Sequence, residues 1–216
     1  MARIFLICPV RKASDEMNTH IETYVRELEA SGHTVHWPKR DTRQDGDPVG
    51  IRICTDNREE MFAADEVHIW FDHESRGSCF DIGMAYVFEH LRPGRVVIAN
   101  PSDFLSAPAS PQLSLLFSIV AHMFSRPVQM NMVKRWKEYP PDELFRHTTL
   151  SDDTHTLRTV PSHTGALCVY GMIFAVMQSV PRKIVLEVNI ASTPEKSFDN
   201  VLLWLVEHTK NGPKTV

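Results

Sequence analysis

The 216-residue chain has few cysteines, no block of basic residues and no long apolar run. Its four cysteines form no CxxC pair, which argues against a zinc site or a disulfide framework and favours reduced, mostly buried thiols. The 23 Lys and Arg are outnumbered by 27 Asp and Glu, giving a formal net charge of −4. A broad positive face for nucleic acid is therefore not expected, whereas a local phosphate pocket remains compatible with this composition.

The apolar runs of the sequence predict neither a targeting segment nor a membrane-spanning segment. The apolar run at residues 3–10 is too short for a signal peptide and has the composition of a strand. The longest later apolar stretch, residues 165–180, is shorter than the roughly 20 residues needed to span a bilayer. With 43% hydrophobic and 23% charged residues, the sequence predicts a globular cytoplasmic protein with no membrane partner.

The first hundred residues alternate between β-rich apolar runs and amphipathic stretches. This alternation predicts an α/β fold of Rossmann-like (flavodoxin-like) type, with a parallel sheet and helices on both faces. The carboxyl ends of parallel strands meet at one edge, where open sheets bind ligands. The expected strands are 3–10, 33–38, 66–71 and 95–100, and the expected helices are 14–32, 51–65 and one that ends near Leu91.

The second half is harder to interpret. Residues 99–112 are rich in Pro, Ser and Ala, which is typical of a linker. We therefore expect a first domain at 1–104 and an α+β extension of unknown role at 105–216. Within the extension the pattern predicts a helix at 113–124, a buried helix or two strands at 165–178, a strand at 182–191 and a helix at 193–212.

Three histidines in the extension do not predict a metal site. His147, His155 and His163 recur every eight residues, and this is not a spacing that zinc ligands use. We expect surface-loop positions for them, and we expect neither a metal nor a cofactor in the protein.

The most informative motif is "SRGSCFDIGMAY", residues 75–86. Small residues lead into an apolar helix, and one carboxylate, Asp81, lies where its apolar face begins. With "IFLICPVRK" (4–12) and "FAADEVHIWF" (62–71), this stretch resembles the nucleoside 2-deoxyribosyltransferases and the related 2'-deoxynucleoside 5'-monophosphate N-hydrolases. The resemblance covers just under half of the chain, and the 75–86 motif is its most specific part.

The resemblance implies cleavage or transfer of the N-glycosidic bond of a nucleoside or nucleoside 5'-monophosphate. In that family the carboxylate of the motif attacks the anomeric carbon, and water or a second base completes the reaction. The resemblance gives this role to Asp81, which we expect at the start of a helix, where backbone N–H groups would favour the ionised carboxylate. The family completes its sites with a neighbouring subunit, so the resemblance also implies a homo-oligomer.

Three positions depart from the family pattern. Asp81 stands where the family has Glu, and its side chain is one methylene shorter. Phe5 stands where a tyrosine helps to position the nucleophile. The family aspartate that assists the departing base falls on Asn57, although Asp56 would take that place if the register shifted by one residue.

The remaining candidate residues would bind the substrate. Ser75 matches a serine that contacts the 5'-phosphate in the nucleotide hydrolases, and the loop after the first strand would face the same phosphate. Glycines in the motif would let the sugar approach the backbone. The candidate substrate-binding residues are Cys8, Pro9, Arg11, Lys12, Ser14, Ser75, Gly77 and Gly83.

Two other functions fit the same residues. A nucleotide-binding or sensing protein would keep the pocket, lack efficient chemistry and signal through the extension. A purely structural partner protein would make the pattern from Ser75 to Gly83 a coincidence. The sequence thus leaves open whether the protein is an enzyme.

Overall fold

The structure is a computed structural model, and the first 136 residues contain most of what it describes. The described residues are 1–11, 13–47, 50–109, 111–136, 148–149, 158–159, 168, 171–172 and 174–175. The helices and strands given below lie within them.

Strands and helices alternate from the N-terminus, as the sequence predicts. Their order is β1 (Arg3–Ile7), α1 (Asp15–Ala30), β2 (Thr34–His36), α2 (Pro38–Asp41), α3 (Ile51–Ala63), β3 (Glu66–Ile69), α4 (Arg76–Leu91), β4 (Val96–Ile98), α5 (Pro101–Ser106), α6 (Pro111–Val120), a 3₁₀ turn (Ala121–Met123), α7 (Arg126–Trp136), β5 (Thr148–Thr149) and β6 (Arg158–Thr159).

Four of these strands form one parallel sheet in the order β2-β1-β3-β4. Phe5 in the middle of β1 lies opposite His36 of β2 and Val67 of β3. The order reverses direction between β1 and β3, which is the point where doubly wound sheets open a crevice at their carboxyl edge. The predicted α/β fold with a parallel sheet is therefore confirmed.

Side-chain alternation along β1 divides the core between the two faces of the sheet. Ile4 and Leu6 point to the face covered by α1, where Ile21 and Val25 are buried against them. Phe5 and Ile7 belong to a larger cluster on the opposite face, formed with α3, α4 and α6. A strand that is covered on both faces reads as a continuous apolar run, and this explains the composition of β1.

The segment expected as a linker, 99–112, instead contains helix α5. Pro101 occupies the first turn, where its missing N–H costs nothing, and the side chain of Phe104 is fully buried. The next helix, α6, packs on α4 and places Leu113 and Leu116 in the same core cluster. The expected boundary at 104/105 thus falls inside a helix that belongs to the core of the sheet domain.

The described residues cover less of the expected C-terminal extension than of the first domain. There, β5 and β6 pair antiparallel, and the described positions between 168 and 175 are helical. The strand expected at 182–191, the helix expected at 193–212 and the three histidines lie outside the described residues, so the two-domain division stays a prediction. Among the helices described, none combines the length and the apolar character needed to cross a membrane.

Candidate functional site

The 75–86 motif begins helix α4, and Ser75 is its N-cap. The Ser75 hydroxyl accepts hydrogen bonds from the backbone N–H of Ser78 at 3.4 Å and from the Ser78 hydroxyl at 2.8 Å. This cap satisfies one of the N–H groups that a helix start leaves without a partner. Ser75 is half-buried, and it follows β3 at the N-terminus of α4, so it lies towards the carboxyl edge of the sheet.

Asp81 lies deeper than the sequence suggests. It is the sixth residue of α4, in the second turn, and the residue is only 9% exposed. Burial raises the pKa of its carboxyl from the ordinary value of 3.8 to about 7, against the opposing effect of a hydrogen bond from Asn57.

The expectation that backbone N–H groups hold Asp81 ionised is therefore wrong. In the second turn of a helix the N–H groups are already bonded within the helix, and the helix dipole acts mainly within the first turn. Desolvation consequently outweighs the one side-chain donor, and at neutral pH the carboxyl is poised between its charged and neutral forms.

Helix α3 brings Asn57 to the carboxyl and turns Asp56 away from it. The amide Nδ2 of Asn57 donates to Oδ2 of Asp81 at 3.3 Å, and Asn57 is only 6% exposed. The side chain of Asp56 is 42% exposed and forms an ion pair with Arg52 one turn earlier, at 3.5 Å. The register that places Asn57, not Asp56, at the site is thus the one the fold adopts.

A second layer of polar side chains stands behind Asn57, and the sequence analysis did not identify it. The Thr42 hydroxyl donates to Oδ1 of Asn57 at 3.2 Å, and Nε2 of His36 lies 2.9 Å from the same hydroxyl. Nδ1 of His36 lies 3.3 Å from Oε2 of Glu60, which also pairs with Arg3. The sequence signal that could have found Thr42 is its position, because it directly follows α2, just beyond the carboxyl end of β2.

The Asp81 charge acts on the thiols of Cys8, Cys54 and Cys79. Burial is the main cause that raises the pKa of Cys8, at the end of β1, and of Cys54, on α3, each to about 12, and the Asp81 charge adds to both effects. Cys79 differs because a hydrogen bond with Cys168 lowers its pKa. Apart from Cys79, these thiols are poor nucleophiles at neutral pH, since the reactive form is the thiolate.

The indole of Trp37 lies next to the Cys8 side chain. Its buried N–H approaches the Cys8 sulfur, a weak acceptor, and makes no conventional hydrogen bond within the described part of the chain. Phe5, which replaces the family tyrosine, stacks on the His36 ring with centroids 5.4 Å apart and planes 16° apart. Phe5 therefore supports the ring of His36 and offers no hydroxyl to Asp81.

The candidate substrate-binding residues in and after the loop that follows β1 differ in their exposure and contacts. Pro9 is buried, Arg11 is exposed, and Lys12 lies outside the described residues. The Arg11 charge is close enough to α3 to oppose the burial effect on Cys54. Ser14 caps its own helix by accepting from the backbone N–H of Met17 at 3.1 Å, so its hydroxyl already has a structural partner.

The two glycines of the motif have different surroundings. A Cβ added to Gly77 would meet no atom within 4 Å, so nothing in the described fold requires a glycine there. A Cβ added to Gly83 would overlap the carbonyl oxygen of Cys168, and one added to Gly171 would overlap the carbonyl oxygen of Phe80. Close packing of two backbones accounts for Gly83, whereas a ligand at the helix mouth would account for Gly77.

No metal site accompanies this arrangement in the part of the chain that the structure describes, where no three His, Cys, Asp or Glu side chains cluster closely enough to hold an ion. The site consists of the buried Asp81 carboxyl and the Asn57 amide that donates to it. Next to them, the N-terminus of α4 carries the Ser75 hydroxyl and Gly77, which has open space around it. Comparison of the chain with models of protein families, with curated proteins and with solved structures gave no match.

Proposed function

We propose that the protein cleaves or transfers the N-glycosidic bond of a nucleoside or nucleoside 5'-monophosphate, with Asp81 as the nucleophile. The observation that carries the proposal is the buried Asp81 carboxyl, whose pKa of about 7 keeps a large fraction ionised at neutral pH. It lies beside the end of β1, next to the point where the strand order reverses, which is where doubly wound sheets bind ligands.

The reaction has two steps. A carboxylate oxygen of Asp81 attacks the anomeric carbon, the C–N bond breaks, and its electron pair leaves with the base, which takes up a proton. Water, or a second base, then attacks the same carbon and releases the Asp81 carboxylate together with the sugar or a new nucleoside. The amide of Asn57 holds the carboxylate in place through its 3.3 Å hydrogen bond.

The helix mouth gives the substrate a place to bind. Gly77 leaves room for a sugar to approach the backbone. A 5'-phosphate beside Ser75 would meet the positive end of α4, a 16-residue helix with no acidic side chain in its first turn. The first turn of α1 carries Asp15 and Glu16, and these would repel a phosphate.

The experiment is a base-release assay over ribo- and deoxyribonucleosides and their 5'-monophosphates, with free base separated by chromatography. We expect release from at least one substrate and its loss in Asp81→Asn. Asp56→Asn is the matched control, because it makes the same chemical change on a side chain that faces Arg52 and not the site. Equal release by wild type and Asp81→Asn contradicts the proposal.

One observation favours a second function, a nucleotide-binding or sensing protein. The side chain that hydrogen-bonds Asp81 is an amide, and the nearby Asp56 pairs with Arg52 instead, so within the described residues no second carboxyl contacts Asp81 to protonate a departing base. Such a protein would be stabilised by its nucleotide, because a ligand that binds only the native state raises stability by mass action. Thermal shifts without base release from any compound would select this function.

A further inference from the structure

A chain of hydrogen bonds runs from the buried carboxyl to the protein surface. It passes from Asp81 to Asn57 at 3.3 Å, to the Thr42 hydroxyl at 3.2 Å, and to Nε2 of His36 at 2.9 Å. The other nitrogen of His36 lies 3.3 Å from Glu60. Asn57, Thr42 and Asp81 are buried, so each polar atom depends on its neighbour in the chain for a partner.

The Thr42 hydroxyl makes this chain directional. A hydroxyl has one proton to donate, and when that proton goes to Oδ1 of Asn57 the amide is fixed with its NH₂ group toward Asp81. Thr42 must then accept, so His36 donates from Nε2. If Nε2 of His36 instead carries no proton, it competes for the Thr42 proton, and Oδ1 of Asn57 loses its donor.

A neutral His36 cannot satisfy both of its contacts as a donor. It carries one N–H, and with that proton on Nε2 the lone pair of Nδ1 faces the Glu60 carboxylate. With the proton on Nδ1, the contact with Glu60 is satisfied and the one with Thr42 is reversed. Because a lone pair that faces a carboxylate is unfavourable, the contact with Glu60 favours the neutral form with its proton on Nδ1. The doubly protonated imidazolium donates to both partners and keeps the Thr42 proton directed at Asn57.

We propose that Thr42 and His36 are positioning residues: they set the orientation of the Asn57 amide, and so couple the protonation of His36 to the charge of Asp81. The inference concerns the site of the proposed function and takes its catalytic meaning from it. Because coupling between two sites is reciprocal, ionisation of Asp81 raises the pKa of His36 by as much as protonation of His36 lowers the pKa of Asp81.

Several charged groups lie near the two ends of this hydrogen-bond relay, the chain that runs from Asp81 through Asn57 and Thr42 to His36. Around His36 the effects, in decreasing order, are burial, which lowers its pKa, then the charges of Glu60 and Asp41, which raise it, then those of Arg3 and Arg40, which lower it. At the other end, the titratable groups on which the Asp81 charge acts within the described residues include the thiols of Cys8, Cys54 and Cys79. Burial lowers the pKa of His36 and favours its neutral form near neutral pH. His36 therefore becomes protonated, and donates to both Thr42 and Glu60, only as the pH falls below neutral.

The test measures the ionisation of Asp81 directly, without any substrate. In protein labelled with ¹³C at the aspartate carboxyls, the Asp81 signal is identified by its loss in Asp81→Asn, and its chemical shift is followed against pH. We expect Thr42→Val, which removes the hydroxyl and keeps the shape, to raise the midpoint by about one pH unit. Thr42→Ser, which restores the hydroxyl, should return it to the wild-type value.

Thr55→Val is the matched control, because the Thr55 hydroxyl donates to the carbonyl of Ile51, on the same helix as Asn57. Its midpoint should equal that of wild type. An unchanged midpoint in Thr42→Val, or a midpoint in Thr42→Ser that stays with that of Thr42→Val, overturns the proposal.

A second measurement needs no substitution and therefore does not depend on the folding of a variant. In the wild-type protein the side-chain amide signals of Asn57 should follow two titrations, that of Asp81 and that of His36. Asn57 signals that follow Asp81 alone contradict the relay. Neither readout involves turnover, so failure of the relay and failure of base release are separate results.

Discussion

The buried carboxyl predicts a specific dependence of stability on pH. The folded protein holds the Asp81 proton with a pKa of about 7, against an ordinary value of 3.8 that applies to the unfolded chain. Because the folded state binds this proton more tightly, its contribution to stability is complete below about pH 4 and is lost as the pH rises through 7. A difference of about 3 pH units corresponds to about 4 kcal/mol of unfolding free energy.

Asp81→Asn removes this titration while keeping the volume of the side chain and an oxygen that can accept from Asn57. We therefore expect the unfolding free energy of Asp81→Asn, relative to wild type, to increase by about 3 kcal/mol between pH 5 and pH 8. The variant should be the more stable protein at pH 8. Subtracting the two curves at each pH cancels the contributions of the other titrating groups.

The assay is urea unfolding at pH 5, 6, 7 and 8, followed by circular dichroism. Asp56→Asn is the control, since that side chain is 42% exposed, and its curve should run parallel to that of wild type. A difference between Asp81→Asn and wild type that is the same at every pH would refute the reasoning that burial controls the ionisation of Asp81.

Three further predictions concern the packing of α4 and its surroundings. Gly77→Ala should leave stability unchanged or raise it by up to about 1 kcal/mol, and should weaken the nucleotide binding that we propose. Gly83→Ala should lower stability by about 3 kcal/mol, because its Cβ overlaps a backbone carbonyl; equal effects of the two substitutions in thermal unfolding contradict this. Ser75→Ala should cost about 1 kcal/mol through loss of the N-cap, and a melting temperature equal to that of wild type argues against the cap. Glu89→Ala should cost about 3 kcal/mol in urea unfolding, because the buried carboxylate accepts from three backbone N–H groups, two in the turn before β4 and one at its first residue, and a loss below about 1 kcal/mol contradicts that role.

Local signals explain why the first half of the fold could be predicted from the sequence. The continuous apolar run gives β1, and Ser14 with Gly32 bounds α1 because a cap residue and a left-handed glycine act within one turn of the chain. Helix α5 was not expected because proline, serine and alanine are common in linkers. The same proline also fits the first turn of a helix, and the buried Phe104 decides between the two.

The environment of the site could not be predicted in the same way. The motif identifies Asp81, but its burial depends on β1 and α3, which pack around it from distant parts of the sequence. Thr42 lies 15 residues from Asn57, and Asn57 lies 24 residues from Asp81, so no periodicity connects them. Only the packed structure shows which of the adjacent residues Asp56 and Asn57 faces the carboxyl.

The most direct test of the account is a search for the covalent intermediate on Asp81. Protein mixed with a substrate that releases base is quenched in acid within the first turnover and examined by mass spectrometry, intact and after digestion. The account predicts a mass increase equal to one sugar or sugar phosphate, located on the peptide that contains Asp81 and absent from Asp81→Asn. An adduct on another residue, or undiminished base release by Asp81→Asn, would contradict it.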